Sequence, residues 1–151
     1  NSETGGIDKS GEGQGVCPTG WHVPSDAEWT ELENYLAGNG YNYDGSIGGG
    51  RAKIAKALAA SSGWQSSTVT GSAGNTDYPE YRNKSGFTAL PAGQRSNNGV
   101  FCCIVQYGCW WSATEYDEDS GWLRYIGYVN SNVVREFTYN EMGNSVRCIK
   151  D

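Results

Sequence analysis

Residues 17–36 read CPTGWHVPSDAEWTELENYL, and their second half carries the clearest local signal in the chain. Ser25 with Glu28 three residues later is the pattern of a capping box, in which hydroxyl and carboxylate each satisfy a backbone N–H left free at a helix start. Trp29, Leu32, Tyr35 and Leu36 then fall on one helical face, and Gly38 supplies the stop. These signals predict a helix over 26–37. A second helix is predicted over RAKIAKALAA, residues 51–60, where Ile54, Ala55 and Leu58 share a face. The Gly-rich stretch between the two reads as a loop.

Downstream the character changes twice. Residues 63–84 are rich in Ser, Thr, Gly and Asn with little periodicity, and read as a long surface loop. Beyond Gly86, short aromatic and β-branched runs separated by Gly, Asn and Asp predict strands and hairpins. In WLRYIGYV, residues 122–129, Trp122, Arg124, Ile126 and Tyr128 alternate with Leu123, Tyr125, Gly127 and Val129, so each set lines one face of a strand. SNVVREFTY (131–139) and SVRCIK (145–150) read as two further strands. Two helices followed by a mostly antiparallel sheet is an α+β pattern.

The chain has 151 residues, enough for one domain with a real core and too few for two ordinary ones. A formal charge of -6 and a pI near 4.7 argue against nucleic acid as a partner, because phosphate binding needs a basic surface. No apolar run reaches the ~18 residues of a membrane span. Six Trp and ten Tyr stand against three Phe, beside 22 Gly. That balance suits a loop-rich extracellular domain, and large amphipathic rings are what binding surfaces use. The opening NSETGGIDKS is polar and Gly-rich, so residues 1–15 are expected to be a flexible lead-in of a processed or truncated chain.

CPTGWHVPSDAEWTELENYL, SGFTALPAGQR (85–95), GCWWSATEYD (108–117), GWLRYI (121–126) and GNSVRCIKD (143–151) together resemble the Fibrobacter succinogenes major paralogous (FISUMP) domain. The resemblance covers roughly residues 16–151 and rests on five separated motifs in the expected order. It implies a secreted or lipid-anchored bacterial protein with a C-type-lectin-like fold, in the formylglycine-generating-enzyme-like branch. Domains of this branch are also the scaffold of variable proteins made by diversity-generating retroelements, where mutated Asn codons encode a broad set of residues near the C-terminus. The resemblance therefore implies framework positions at Trp122, Arg124, Ile126, Tyr128, Val133 and Arg135. Interleaved with them are positions without consistent chemistry: Leu123, Tyr125, Gly127, Val129, Val134 and Phe137.

Cys17 and Cys148 both lie in matched motifs at opposite ends of the domain. In an extracellular protein their natural reading is a disulfide, worth roughly 4 to 5 kcal/mol in the chain-entropy model; the alternative is two buried thiols. Cys102, Cys103 and Cys109 lack the paired spacing of a zinc site, and strand neighbours point to opposite faces, so no metal is expected. Unpaired thiols are favoured there, with a bridge from Cys109 to Cys102 or Cys103 left open. A cysteine nucleophile needs a base and an orienting third group. His22 is the only histidine, and the turn before the helix explains it better as a partly buried structural residue. Acidic YDEDS (116–120) lacks the ligand spacing of a calcium loop. The calcium-dependent sugar motifs of C-type lectins are absent, and no cofactor is expected. Trp110 and Trp111 belong to a framework motif of the resembled family and are expected in the core.

The reading is a single domain, extracellular or on the outer cell surface, that binds and does not catalyse. Its expected partner is an extracellular protein or glycan, and a lipid anchor upstream of the chain is compatible with it. The proposed binding face comprises Ser96, Asn97, Val100, Cys102, Cys103 and Cys109, then Tyr116 and Asp117. It continues through Leu123, Tyr125, Gly127 and Val129, and ends on Val134, Phe137, Thr138 and Tyr139. The alternatives are an enzyme of the formylglycine-generating or thiol-dependent type, and a structural module of a larger envelope or pilus-tip protein.

Overall fold

The computed structural model describes residues 15–151, so the expected lead-in lies, through residue 14, outside the described residues. In chain order come β1 (Trp21–His22), α1 (Asp26–Gly38), a 3-10 turn (Gly50–Lys53) and α2 (Ala55–Leu58). A second 3-10 turn (Pro79–Tyr81) precedes β2 (Gln94–Arg95), β3 (Phe101–Cys102) and β4 (Tyr107–Asp117). β5 (Ser120–Gly127), β6 (Val134–Tyr139) and β7 (Ile149–Lys150) complete the chain. β4, β5 and β6 form an antiparallel three-stranded sheet, β2 pairs with β3, and β1 pairs with β7. The architecture is α+β with antiparallel pairing throughout the named strands.

α1 begins where its capping box says it should. Ser25 Oγ accepts from the Glu28 N–H at 3.2 Å, and Glu28 Oε2 accepts from the Ser25 N–H at 2.8 Å. Trp29 and Leu36 enter a core shared with Ile54, Leu58, Trp110, Ile126 and Val133, with Leu32 packed against it. Tyr35, on the same predicted face, stays exposed.

The second helix is much shorter than its sequence pattern. Tertiary partners take the backbone groups a longer helix would use: Ala55 N–H goes to Ser131 O at 3.1 Å and Ala60 N–H to Ala89 O at 2.9 Å. Residues 54–60 are buried on every side, so the apolar face read from periodicity is not a face at all. Four alanines keep the segment thin enough for close packing, and Lys56 within it reaches Asp77 at 2.8 Å and the Asn75 carbonyl at 2.6 Å. The 63–84 segment is likewise not purely a surface loop, since Gly71, Ser72 and Ala73 are buried. Lys56 and Arg82 make that tolerable by donating to the carbonyls of Ala60, Ala73 and Asn75, groups that a buried loop would otherwise leave unpaired.

A buried ion network seats α1 on the sheet. Arg124, wholly buried on β5, donates to Glu33 at 2.6 Å, to Asp26 at 2.7 Å and to Thr30 at 3.2 Å. Arg135 on β6 adds a two-pronged contact to Asp26 at 2.9 and 3.0 Å, and Arg51 reaches the second Glu33 oxygen at 3.3 Å. Burial works against the charge on Asp26, but the Arg135 and Arg124 guanidiniums override it and hold the carboxyl below its ordinary value.

Both ends of the domain are fastened at one place. Cys17 and Cys148 are disulfide-bonded across 131 residues, as the resemblance implied. Beside that bond His22 lies between Asp151 at 2.7 Å and Glu28 at 2.9 Å, which ties β1, the helix start and the C-terminus together.

Candidate binding surface

Strand register divides the central sheet into two faces. Arg124 sits opposite Trp110 and Arg135, and Trp122 opposite Phe137, so these side chains share the face that α1 covers. Leu123 sits opposite Trp111 and Glu136, and Tyr125 opposite Cys109 and Val134, on the other face. The alternation read over 122–129 is therefore correct in phase, but Phe137, read as an interleaved position, lies two residues from Arg135 and opposite Trp122 and so shares the framework face. Exposure departs from what the alternation predicts at three positions. Leu123 and Cys109 are only 4% and 5% exposed, because side chains of a central strand and its neighbour are sheltered by their cross-strand partners. Gly127 is buried too, and a Cβ there would meet Asn130 Oδ1 at 2.3 Å and the Tyr107 ring at 3.0 Å. Of the remaining interleaved positions, Tyr125 and Val134 are half-buried, and Val129 and Phe137 are exposed.

Trp110 is core, but Trp111 is half-buried on the opposite face, so the expectation of two core tryptophans holds for one. Adjacent strand residues cannot both enter the same core.

Residues 93–105 form the sharpest feature at the sheet's margin. The turn at the tip is closed by Ser96 N–H to Val100 O and Gly99 N–H to Ser96 O, both at 2.9 Å, and Asn98 Oδ1 accepts from Ser96 and Val100. Val105 N–H to Pro91 O and Gln65 N–H to Val105 O pin the base. Gly93, in a left-handed conformation at φ +71°, is required there, since a Cβ would lie 2.2 Å from the Cys102 carbonyl oxygen. The pinned loop then presents Val100, Phe101, Ile104 and Val105 to solvent, with Phe101 70% exposed.

The cysteines in this loop depart from strand geometry. Cys103 and Val105 have φ values of 66° and 65°, which breaks the alternation that should have kept Cys102 and Cys103 apart. The Cys102 side chain beside Cys103, together with burial, raises the Cys103 pKa. Burial pushes the Cys109 thiol up to about 12, with Cys103 and Cys102 adding to it. All three are free thiols. Each shift disfavours the thiolate that a nucleophile or metal ligand would need. His22 has both ring nitrogens engaged by carboxylates, so neither is open to a thiol.

Residues 7–150 match the Fibrobacter succinogenes major domain. The chain belongs to that family. No curated protein and no solved structure matches it. Within this Fibrobacter succinogenes major domain, two surface features lie apart from the 93–105 loop.

The first is at the far end of the sheet, past the N-terminus of α1. Tyr116 and Phe137 stack at 4.0 Å, Trp122 stands edge-on to Tyr116 at 5.0 Å, and the Arg135 guanidinium lies 3.3 Å over the Trp122 ring. The sequence picked Tyr116, Asp117, Phe137, Thr138 and Tyr139 but assigned Trp122 to the framework; the missed signal was its position directly opposite Phe137. Sites taken in sequence as one face are thus two clusters, one around the loop and one around this aromatic ladder.

The second is an apolar groove of about 380 Å³ on the other flank of α1, lined by Pro24, Trp29, Leu32, Tyr35, Phe87 and Arg147. None of the binding-face residues read from the sequence lines it. No helix among the described residues is long and apolar enough to cross a membrane.

Proposed function

We propose that this domain is a secreted or surface-displayed ligand-binding module of C-type-lectin-like fold, which contacts its partner through the 93–105 loop. The observation that carries the reading is the exposure of Val100, Phe101, Ile104 and Val105 on a loop pinned at its base. Apolar side chains held out by a fixed backbone leave little freedom to lose on contact, which favours shape-complementary recognition of an extracellular protein or glycan. Tyr125, Val129 and Val134 extend the surface; Leu123, Gly127 and Cys109 do not. Raised thiol pKa values and a fully engaged His22 weigh toward binding over thiol chemistry.

The finer reading is that a retroelement diversifies this surface. It rests on the family resemblance and on residues 96–105, whose types a mutated Asn codon can encode. Sequencing the DNA flanking the gene tests it: a near-copy of the 3′ coding region beside a reverse transcriptase gene is expected, and a flank with neither removes diversification. Binding itself is tested by screening arrayed extracellular proteins and glycans with the native domain and with a Val100→Ser, Phe101→Ser, Ile104→Ser variant. Loss of the retained ligands in the variant is expected. An unchanged binding profile from a folded variant rejects the loop as the contact surface.

A further inference from the structure

The two edges of the β4–β5–β6 sheet are finished differently. Beyond β4, Trp111 N–H bonds to Ser145 O at 3.0 Å, Ser145 N–H to Cys109 O at 3.0 Å and Ala113 N–H to Pro24 O at 2.8 Å, so that edge is covered. Cys109 and Trp111 thus aim their backbone groups away from β5. Their partners Tyr125 and Leu123 must then aim theirs at Val134 and Glu136 of β6. Two-residue alternation turns the N–H and C=O of Arg135 and Phe137, and the N–H of Tyr139, to the outside. Among the described residues no hydrogen bond takes up these outward groups. β6 carries neither the Pro nor the Lys that commonly blunts such an edge.

The side chains around this edge have a definite character. On the α1 side, Phe137, stacked on Tyr116, is 42% exposed and Tyr139 is 65% exposed. On the other side Glu136 and Glu115 are exposed, and Asp117, Glu118 and Asp119 at the β4–β5 turn and Glu141 just past β6 are exposed as well. None of these six carboxylates has an ion-pair partner among the described residues. Arg135, the one cation on β6, is committed to Asp26 and to the Trp122 ring.

We propose that β6 is a strand-addition site for an extended, Lys- or Arg-bearing segment of a protein partner. The incoming backbone pairs with Arg135, Phe137 and Tyr139. Its side chains alternate: apolar ones lie on Phe137 and Tyr139, cationic ones face Glu136 and the neighbouring carboxylates. Main-chain pairing supplies the contact, and the unpaired negative charge selects the sign of the partner. The site does not depend on the 93–105 loop, so the loop variant above leaves it unchanged.

The test uses a short fluorescent peptide alternating Lys with Val, and a second in which Glu replaces Lys. Anisotropy reads affinity, and NMR hydrogen exchange reads the amides of residues 135, 137 and 139. The Lys peptide is expected to bind and to slow exchange at those amides, while the Glu peptide binds at least roughly tenfold more weakly. Phe137→Ala should weaken the Lys peptide roughly three- to tenfold. Tyr139→Pro removes an outward N–H while sparing the bonds to β5, and should weaken binding more than Tyr139→Ala. No binding by the Lys peptide, equal binding of both peptides, or binding without protection of these amides overturns the proposal. Slow exchange at these amides in the peptide-free protein also overturns it, in favour of residues 1–14 if light scattering shows a monomer and of a second copy if it shows a dimer.

Discussion

The interior beneath α1 and the loop over 93–105 treat polar and apolar groups in opposite ways. Under the helix, Arg124 and Glu33 are taken out of water and Asp26 is partly so, and each is met by an opposite charge within 3.3 Å. In the loop, Phe101 and Ile104 are left in water with nothing packed over them, and two non-glycine residues sit at positive φ. The first arrangement survives because removing any partner leaves a buried charge alone, so the parts hold one another in place. The second is held not by apolar packing but by backbone bonds at its base and by the Ser96 and Asn98 side chains at its tip. Stability is concentrated in one region and adaptable surface in the other.

Four measurements would break or sharpen that contrast. The largest effect is expected from the staple that closes the scaffold: replacing Cys17 and Cys148 by Ser should cost roughly 4 to 5 kcal/mol in urea unfolding. The same change at Cys102 and Cys103 should move stability by less than about 0.5 kcal/mol. Equal losses would erase the distinction between the two cysteine sets. Next, Arg124→Met should cost about 3 kcal/mol or more, because it leaves buried Glu33 with only the longer Arg51 contact. Adding Glu33→Leu should recover much of that loss, whereas a purely additive double mutant would show that the pair is not coupled.

The pH dependence is smaller. Asp26 has a lowered pKa, so its contribution is complete above about pH 4 and is lost as pH falls through its folded value. His22 has a raised pKa, chiefly from its hydrogen bonds to Asp151 and Glu28. Its contribution is complete below about pH 6.5 and fades as pH rises through the higher folded value. The unfolding midpoint should therefore sag on both sides of a mildly acidic maximum. Asp26→Asn should flatten the acid side and His22→Gln the alkaline side; an unchanged profile in either variant removes that group from the account. Least in energy is a labelling pattern. Maleimide should modify Cys102 and Cys103 in the native protein and Cys109 only after unfolding, and mass spectrometry showing three native adducts would place Cys109 at the surface.

Much of the scaffold was legible before any coordinates. The capping box at Ser25 and Glu28 is a local pattern, and a local pattern needs no knowledge of what packs above it. The strand phase over 122–129 was legible for the same reason, since alternation is a property of the strand itself. The second helix was not, because its length is set by Ser131 and Ala89, which capture Ala55 and Ala60 from far along the chain. At the candidate surface, the exposed loop and the Tyr116–Phe137 end were picked correctly as lying outside the core, while Leu123, Cys109 and Gly127 were not. Phase says which residues share a face; only the neighbours say whether that face is wet.

The sequence by itself determined the family, the start of α1, the alternation of β5 and the kinship of Cys17 with Cys148 through their motifs. All of these are carried by residues read within a few positions of one another or by a motif as a whole. Tertiary structure alone decided that Arg124 is a buried anchor, that Cys102 and Cys103 meet across a left-handed turn, and that β6 keeps an open edge. Each of those depends on which groups arrive from distant parts of the chain to satisfy a charge, bend a backbone or cover a strand, and no spacing within one segment encodes that.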